Sequence, residues 1–255
     1  MVKKIKKSFY KFNEELTEGI IKERKGQFIL FVKVKDKEYR CHCPTTGSVG
    51  GIILKNIPCL LSKSNNPKRT TDFTVEAISL DKPNIKNKKW IGINQVKVNK
   101  YIEYFLKEGK FNKMIKKVNE VKREQMLGES KLDFLINNNC YMEVKSPLHN
   151  LNTNIPNYLE RKKSILYAGN RLIKHMLELG KSLKKNQRAI MLISFQYNSD
   201  NFGEKEKLKK DSIKNLDKIT KTVDEINKLG VESWQVNLSI DKKGVSFLDH
   251  FKINV

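Results

Sequence analysis

Cysteine is scarce in this sequence: Cys41, Cys43, Cys59 and Cys140 are the four thiols in 255 residues. That is too few to staple a chain of this length, which excludes a disulfide scaffold and implies a reducing compartment. No second Cys or His pair stands at finger spacing from Cys41-His42-Cys43. In a strand the two thiols would share one face with His42 on the other, so a structural zinc is not expected. Long apolar runs are also missing. Runs such as Ala189-Ile190-Met191-Leu192-Ile193 are far too short to span a bilayer. Residues 1–7 lack the apolar centre of a signal peptide, so the expectation is a soluble, cytoplasmic protein with no membrane partner. No internal repeat and no helix-turn-helix pattern stands out. Negative charge is the scarcer sign: 28 Asp and Glu stand against 51 Lys and Arg, a net charge of +23. Such a field favours polyanions, nucleic acid first. Lysine is nevertheless spread along the whole chain, so part of the excess is an ordinary solvated surface.

What is present begins with a β rhythm. Gly19-Ile20-Ile21-Lys22-Glu23-Arg24 and Gln27-Phe28-Ile29-Leu30-Phe31-Val32-Lys33-Val34 flank a Lys25-Gly26 turn, and Asp36-Lys37 leads into Glu38-Tyr39-Arg40-Cys41-His42. After a loop over residues 44–51 come Ile52-Ile53-Leu54, Ile57 to Leu61 and Asp72 to Ile78. Short strands of this kind predict a small barrel of the OB type. Such barrels hold single strands through a basic groove and stacked aromatics, a role open to Phe28, Phe31, Tyr39 and Phe73, although aromatics in short strands are more often core. Lys68 and Arg69 lie in a polar stretch, 62–69, that reads first as a barrel loop and could also touch phosphates. The Pro/Asn/Lys-rich stretch around 81–89 marks a boundary, giving domains 1–83 and 84–255. Beyond it the spacing of Val98, Ile102, Phe105 and Leu106 predicts a helix, as does that of Phe111, Met114, Ile115 and Val118. A long helix or helix pair over residues 159–177, a buried strand from Arg188 to Phe195, a helix from Leu208 to Leu229 capped by Gly230, and two closing strands complete the pattern. The expected class is α/β (α+β), an OB-like barrel followed by a mixed sheet flanked by helices.

Between these lies the stretch that carries chemistry, residues 131–145. Two apolar runs flank Asn137-Asn138-Asn139, an Asn turn, and so predict a β-hairpin. Its alternation puts Phe134, Ile136, Cys140, Met142 and Val144 on a core face, and Asp133, Leu135, Tyr141, Glu143 and Lys145 on the other. The register sets Asp133 opposite Glu143, two carboxylates with Cβ atoms about 5 Å apart, which repel unless a cation lies between them. Asp, nine residues, then Glu-x-Lys is the sequence form of a metal-dependent nuclease core. The acids suit Mg²⁺ or Mn²⁺, which binds the phosphate and acidifies a water, and the lysine orients that water or offsets charge. Acid-x-Lys recurs at Glu23, Glu108, Glu120, Glu129, Glu160 and Asp241, but only Glu143 combines a strand-like run with an acid opposite. The competing reading is a solvated hairpin in which Lys145 neutralises one acid.

Two motifs now carry a resemblance. His42-Cys43-Pro44-Thr45-Thr46-Gly47-Ser48 resembles H-C-P-N-T-G-[AS]. Gly128-Glu129-Ser130-Lys131-Leu132-Asp133-Phe134, followed by Tyr141-Met142-Glu143-Val144-Lys145-Ser146, resembles G-x-S-R-x-D-F and Y-[IV]-E-V-K-S. Both belong to the sugar fermentation stimulation protein (SfsA) family, and weaker likeness continues through Arg188-Ala189-Ile190 and Gly230-Val231-Glu232. The resemblance implies an OB-like domain, a PD-(D/E)xK restriction-endonuclease-like domain, DNA rather than RNA as partner, and nuclease activity, with a homodimer as one assembly. It maps Asp133 and Glu143 onto metal acids and Lys145 onto the catalytic lysine. Glu124 falls on a further metal ligand, with a surface ion pair as its alternative, and Lys131 stands where the family has Arg. Arg171, Lys174 and His175 match a basic segment in which Asn170 replaces an acid. If that acid matters, the chain is slow or binds without cutting, and the alternative is a non-catalytic DNA-binding regulator of sugar metabolism genes.

Overall fold

In a computed structural model the chain is described over residues 8–253 except 46, 65, 129, 150, 161–176, 178, 181–182, 185–186, 203–224 and 226. Its strands are β1 (Phe9–Lys11), β2 (Thr17–Lys25), β3 (Ile29–Val34), β4 (Lys37–His42), β5 (Ile57–Lys63), β6 (Phe73–Ile78) and β7 (Ile91–Gly92). Helix α1 (Val98–Lys107) precedes β8 (Val121–Leu127), β9 (Ser130–Ile136), β10 (Cys140–Lys145), β11 (Arg188–Phe195), β12 (Val231–Ile240) and β13 (Gly244–Lys252).

Six of these strands make the barrel, in the order β4-β3-β2-β5-β6-β7. A parallel contact of Cys41 with Phe73 and of His42 with Thr74 closes it into the OB-like form. The inward set Ile21, Leu30, Val32, Cys41, Cys59, Leu61 and Val75 is fully buried, as strand alternation requires. Cys41 and Cys43 therefore lie in the core while His42 faces outward. Ile52-Ile53-Leu54 is not a strand. It keeps one isolated bridge at Ile52, because the Ile52 and Ile53 amides donate to Val49 and Glu160 rather than to a neighbouring ladder.

The second sheet runs β1-β13-β12-β11-β10-β9-β8, with β10, β11 and β12 parallel. Helix α1 lays Val98, Tyr101, Ile102, Phe105 and Leu106 over one face, against Phe134, Ile136, Met142, Val144, Ile190 and Leu192. The expected helix at 111–118 is instead a series of turns. Gly109 (φ +66°) ends α1 in a Schellman motif: its amide donates to Leu106 and that of Lys110 to Phe105, and one turn at Phe111–Ile115 follows. Phe111, Met114 and Ile115 are still buried, which is what the spacing registered. The helices expected over 159–177 and 208–229 lie mostly outside the described residues. Where the second ends, Gly230 takes φ +81°.

The two sheets share a core. Ala189, Met191, Ile193 and Phe195, from the face of β11 opposite α1, join the cluster that fills the barrel. The Gly92 amide donates to the Gln196 carbonyl at 3.0 Å, and a Cβ at Gly92 would stand 2.5 Å from that of Gln196. β7 pairs within the barrel sheet and β1 within the other, so chain order crosses between the two bodies near both ends of the barrel segment. No described helix is long and apolar enough to cross a membrane.

Candidate functional site

The β9–β10 hairpin forms as its alternation dictates. Asn137 (φ +51°) and Asn138 (φ +60°) supply the left-handed turn, and Cys140 pairs with Ile136, Tyr141 with Leu135 and Met142 with Phe134. That ladder stops at Met142, one pair short of the acids. In its place the Val144 amide donates to Asp133 Oδ2 at 2.7 Å, so the Asp133 carboxylate caps the opening between the strands. Its other oxygen, Oδ1, accepts from Asn99 Nδ2 at 2.7 Å. Glu143 is 6% exposed, and its Oε1 receives Lys145 Nζ at 2.5 Å. Burial, and then the neighbouring Glu143 charge, hold the Asp133 carboxyl above the usual aspartate range, against the opposing pull of the Val144 amide, Asn99 and Lys145.

Glu124 occupies the same level on the next strand. Arg123 pairs with Phe134 and Gln125 with Leu132, which leaves Glu124 alongside Asp133. The pair drops out of the ladder because Glu124 is left-handed (φ +55°), and its exposed carboxylate meets Lys131 Nζ at 2.5 Å. The Lys131 ammonium holds its pKa down. The structure thus brings Asp133, Glu143 and Lys145 together, and Glu124, level with Asp133 along the backbone, pairs its carboxylate with Lys131. Among the described residues no group of three or more His, Cys, Asp or Glu side chains is gathered as a metal cluster. Asp133 and Glu143 still fit a hard divalent cation: their donors are all oxygen, and a cation would offset the burial and then the Glu143 charge that together oppose ionised Asp133. Beside them opens a cavity of about 380 Å³, lined by Gln95, Val98, Asn99, Val144, Lys145, Ser146 and Pro147.

The barrel presents a second surface. Phe28, 49% exposed, stacks on His42 with ring centroids 6.3 Å apart and planes 10° from parallel. Ile29 and Phe31 of β3 face His42 and Arg40 of β4, and Lys25 Nζ lies 5.0 Å over the Phe31 ring. Arg69 donates to Thr74 Oγ1 at 3.1 Å, and Lys68 is exposed in the same loop. Burial, then the Arg69 charge, lowers the His42 pKa. Tyr39 and Phe73 instead meet edge to face at 5.1 Å and pack on the core, so the four candidate aromatics divide in two. Arg171, Lys174, His175 and Asn170 lie outside the described residues.

Sequence patterning missed Asn99 and Gln95. Neither titrates and neither belongs to a charged motif. The one available signal was position: Asn99 adjoins the inward stripe in the first turn of the helix begun by Val98.

Comparison with known proteins agrees with the two-domain architecture. A family model described as the SfsA N-terminal OB domain matches residues 23–93, and one described as the sugar fermentation stimulation protein RE domain matches residues 97–156. A sugar fermentation stimulation protein homolog from Clostridium novyi is 34% identical over 139 residues, 53% of this chain and 57% of the relative. One from Rippkaea orientalis is 31% identical over 158 residues, 60% of this chain and 58% of the relative. The chain thus spans little more than half the length of these curated relatives. The structure of Pyrococcus furiosus SfsA in complex with Ca²⁺ superposes with a TM-score of 0.70 at 18% identity, covering 97% of this chain and 99% of that one. With both motifs in place on a closed barrel and a mixed sheet, and both domain models matched in order, the chain belongs to the sugar fermentation stimulation protein (SfsA) family.

Proposed function

We propose that this chain binds DNA on its barrel and hydrolyses phosphodiester bonds at the Asp133, Glu143 and Lys145 site. The observation that carries the reading is the convergence of two carboxylates and an ammonium on one hairpin face, with Lys145 lining a cavity open to a substrate. The Ca²⁺ complex of Pyrococcus furiosus SfsA, a protein of the same fold, supports a hard cation as ligand. Asp133 and Glu143 would hold Mg²⁺ or Mn²⁺, which supplies Lewis-acid polarisation of a phosphate and a more acidic bound water.

The chain's own residues do the rest. Asn99 and the Val144 amide fix the Asp133 carboxylate so that it presents its oxygens in one orientation. The Lys145 ammonium, 2.5 Å from Glu143, is placed to orient a water or to balance charge gathering on the scissile phosphate. Phe28 and His42 offer a stacking platform, and Arg40, Lys68 and Arg69 offer cations for phosphates.

The test is incubation of single-stranded, duplex and flap DNA, and of RNA, with Mg²⁺ or Mn²⁺, using wild type and Lys145→Ala. Cleavage that needs metal and falls at least 100-fold in the variant is expected. A second reading, DNA binding without turnover in a regulator of sugar metabolism genes, is favoured by the diversion of Glu124 to Lys131. Tight, salt-sensitive binding with no cleavage of any substrate would select it.

A further inference from the structure

The barrel loop that carries Cys43, Thr45 and Gly50 is attached to both surfaces described above. On one side the Cys43 amide donates to the Phe28 carbonyl at 2.7 Å, so the loop carries the turn that displays the Phe28 ring. Arg24 of β2 braces this junction: its guanidinium donates to the carbonyls of Gln27 and Thr45 at 2.7 Å each and of Gly47 at 3.0 Å. On the other side the loop reaches the end of the catalytic strand. Thr45, 2% exposed, donates its hydroxyl to Gln95 Oε1 at 3.1 Å, and Gln95 Nε2 donates to the Ser146 carbonyl at 2.6 Å. The Gly50 amide donates to the Leu148 carbonyl at 2.8 Å. The carbonyls of residues 146 and 148, just beyond Lys145, are thereby bonded by Gln95 and by the barrel loop. Gln95 suits its place because a primary amide accepts at one end and donates at the other; a carboxylate there would face the Ser146 carbonyl with no proton to give.

We infer that Gln95 is a positioning residue for Lys145, tying the strand end that carries the ammonium to the Thr45 loop of the barrel. Its amide fixes the carbonyl next to Lys145, and with it the direction in which that side chain leaves the strand. Displacements near 1 Å at such a group can cost about 100-fold in rate. The inference rests on the nuclease reading above.

The experiment measures kcat and KM for Mn²⁺-dependent oligonucleotide cleavage, with amide hydrogen exchange over residues 145–149, in the full chain. Gln95→Ala and Thr45→Val are each expected to lower kcat by about tenfold or more with KM and oligonucleotide Kd within about twofold. The double variant is expected to be no worse than the weaker single, since both break one connection. Thr45→Ser keeps the hydroxyl and restores kcat. A rise in KM at constant kcat, additive losses, or a Thr45→Ser variant as impaired as Thr45→Val overturns the inference. If the wild type cleaves nothing, the nuclease reading has failed, and exchange alone decides. Faster exchange over 145–149 in Gln95→Ala and Thr45→Val, with Thr45→Ser at the wild-type rate, sustains the tether; unchanged exchange removes it.

Discussion

Asp133 bears a charge that its surroundings oppose, and that opposition is measurable without substrate. Its folded-state pKa is raised, first by burial and then by Glu143. The folded chain therefore takes up a proton at a higher pH than the unfolded chain, so stability rises as pH falls through the raised pKa and levels off near the ordinary value of about 4. Asp133→Asn removes the charge at every pH. Its amide can donate to Asn99 once that side chain flips, and its oxygen can still accept from Val144. With divalent metal chelated, the variant is expected to melt higher at pH 7 by about 1 kcal/mol or less, or roughly 2–4 °C, after allowance for partial exposure. Mn²⁺ should raise the Tm of the wild type and barely move that of the variant. A lower Tm for Asp133→Asn in chelator would sink this account of the pair.

On the scale of elements, β8 decides what Glu124 does. Left-handed backbone is costly for a residue with a Cβ, so Glu124→Gly should melt no lower than the wild type even though it discards the contact with Lys131. Glu124→Gln should keep the Mn²⁺-dependent rise in Tm, because the structure gives its carboxylate to Lys131. Loss of that rise would restore Glu124 as a ligand. The same strand shows where sequence reading stops. The β9–β10 hairpin was legible because one face is apolar and the other carries the charged residues, which writes a period of two. α1 was legible from Val98, Ile102, Phe105 and Leu106. Lys122-Arg123-Glu124-Gln125 is polar on both faces, since β8 is an edge strand with solvent on either side, so no alternation announces it. The acids and Lys145 were legible as a motif. Asn99 and Gln95 act through neutral amides, whose role depends on which backbone groups the fold brings to them, and local spacing does not encode that.

For the molecule as a whole, the net charge of +23 and the barrel face predict a particular form of binding curve. Single-strand affinity should fall with salt, and Arg69→Ala should reduce the slope of log K against log salt by about 0.7 if it removes one phosphate contact. Phe28→Ala should weaken binding by about 1–3 kcal/mol at unchanged slope, since stacking releases no counterions. Equal slopes in all three proteins, measured by fluorescence anisotropy across a salt series, would take Arg69 off the interface. A different consequence follows from β1, which pairs with β13 and so joins residues 9–11 to 244–246. Every barrel ladder closes among residues 17–92, whereas this edge needs almost the entire described chain. During synthesis the barrel can therefore close early, but β11, which helps fill its core, emerges later, and β1 finds its partner last. Until then the barrel ladders can be complete while the apolar flank that β11 covers stays open to water and β1 has no partner.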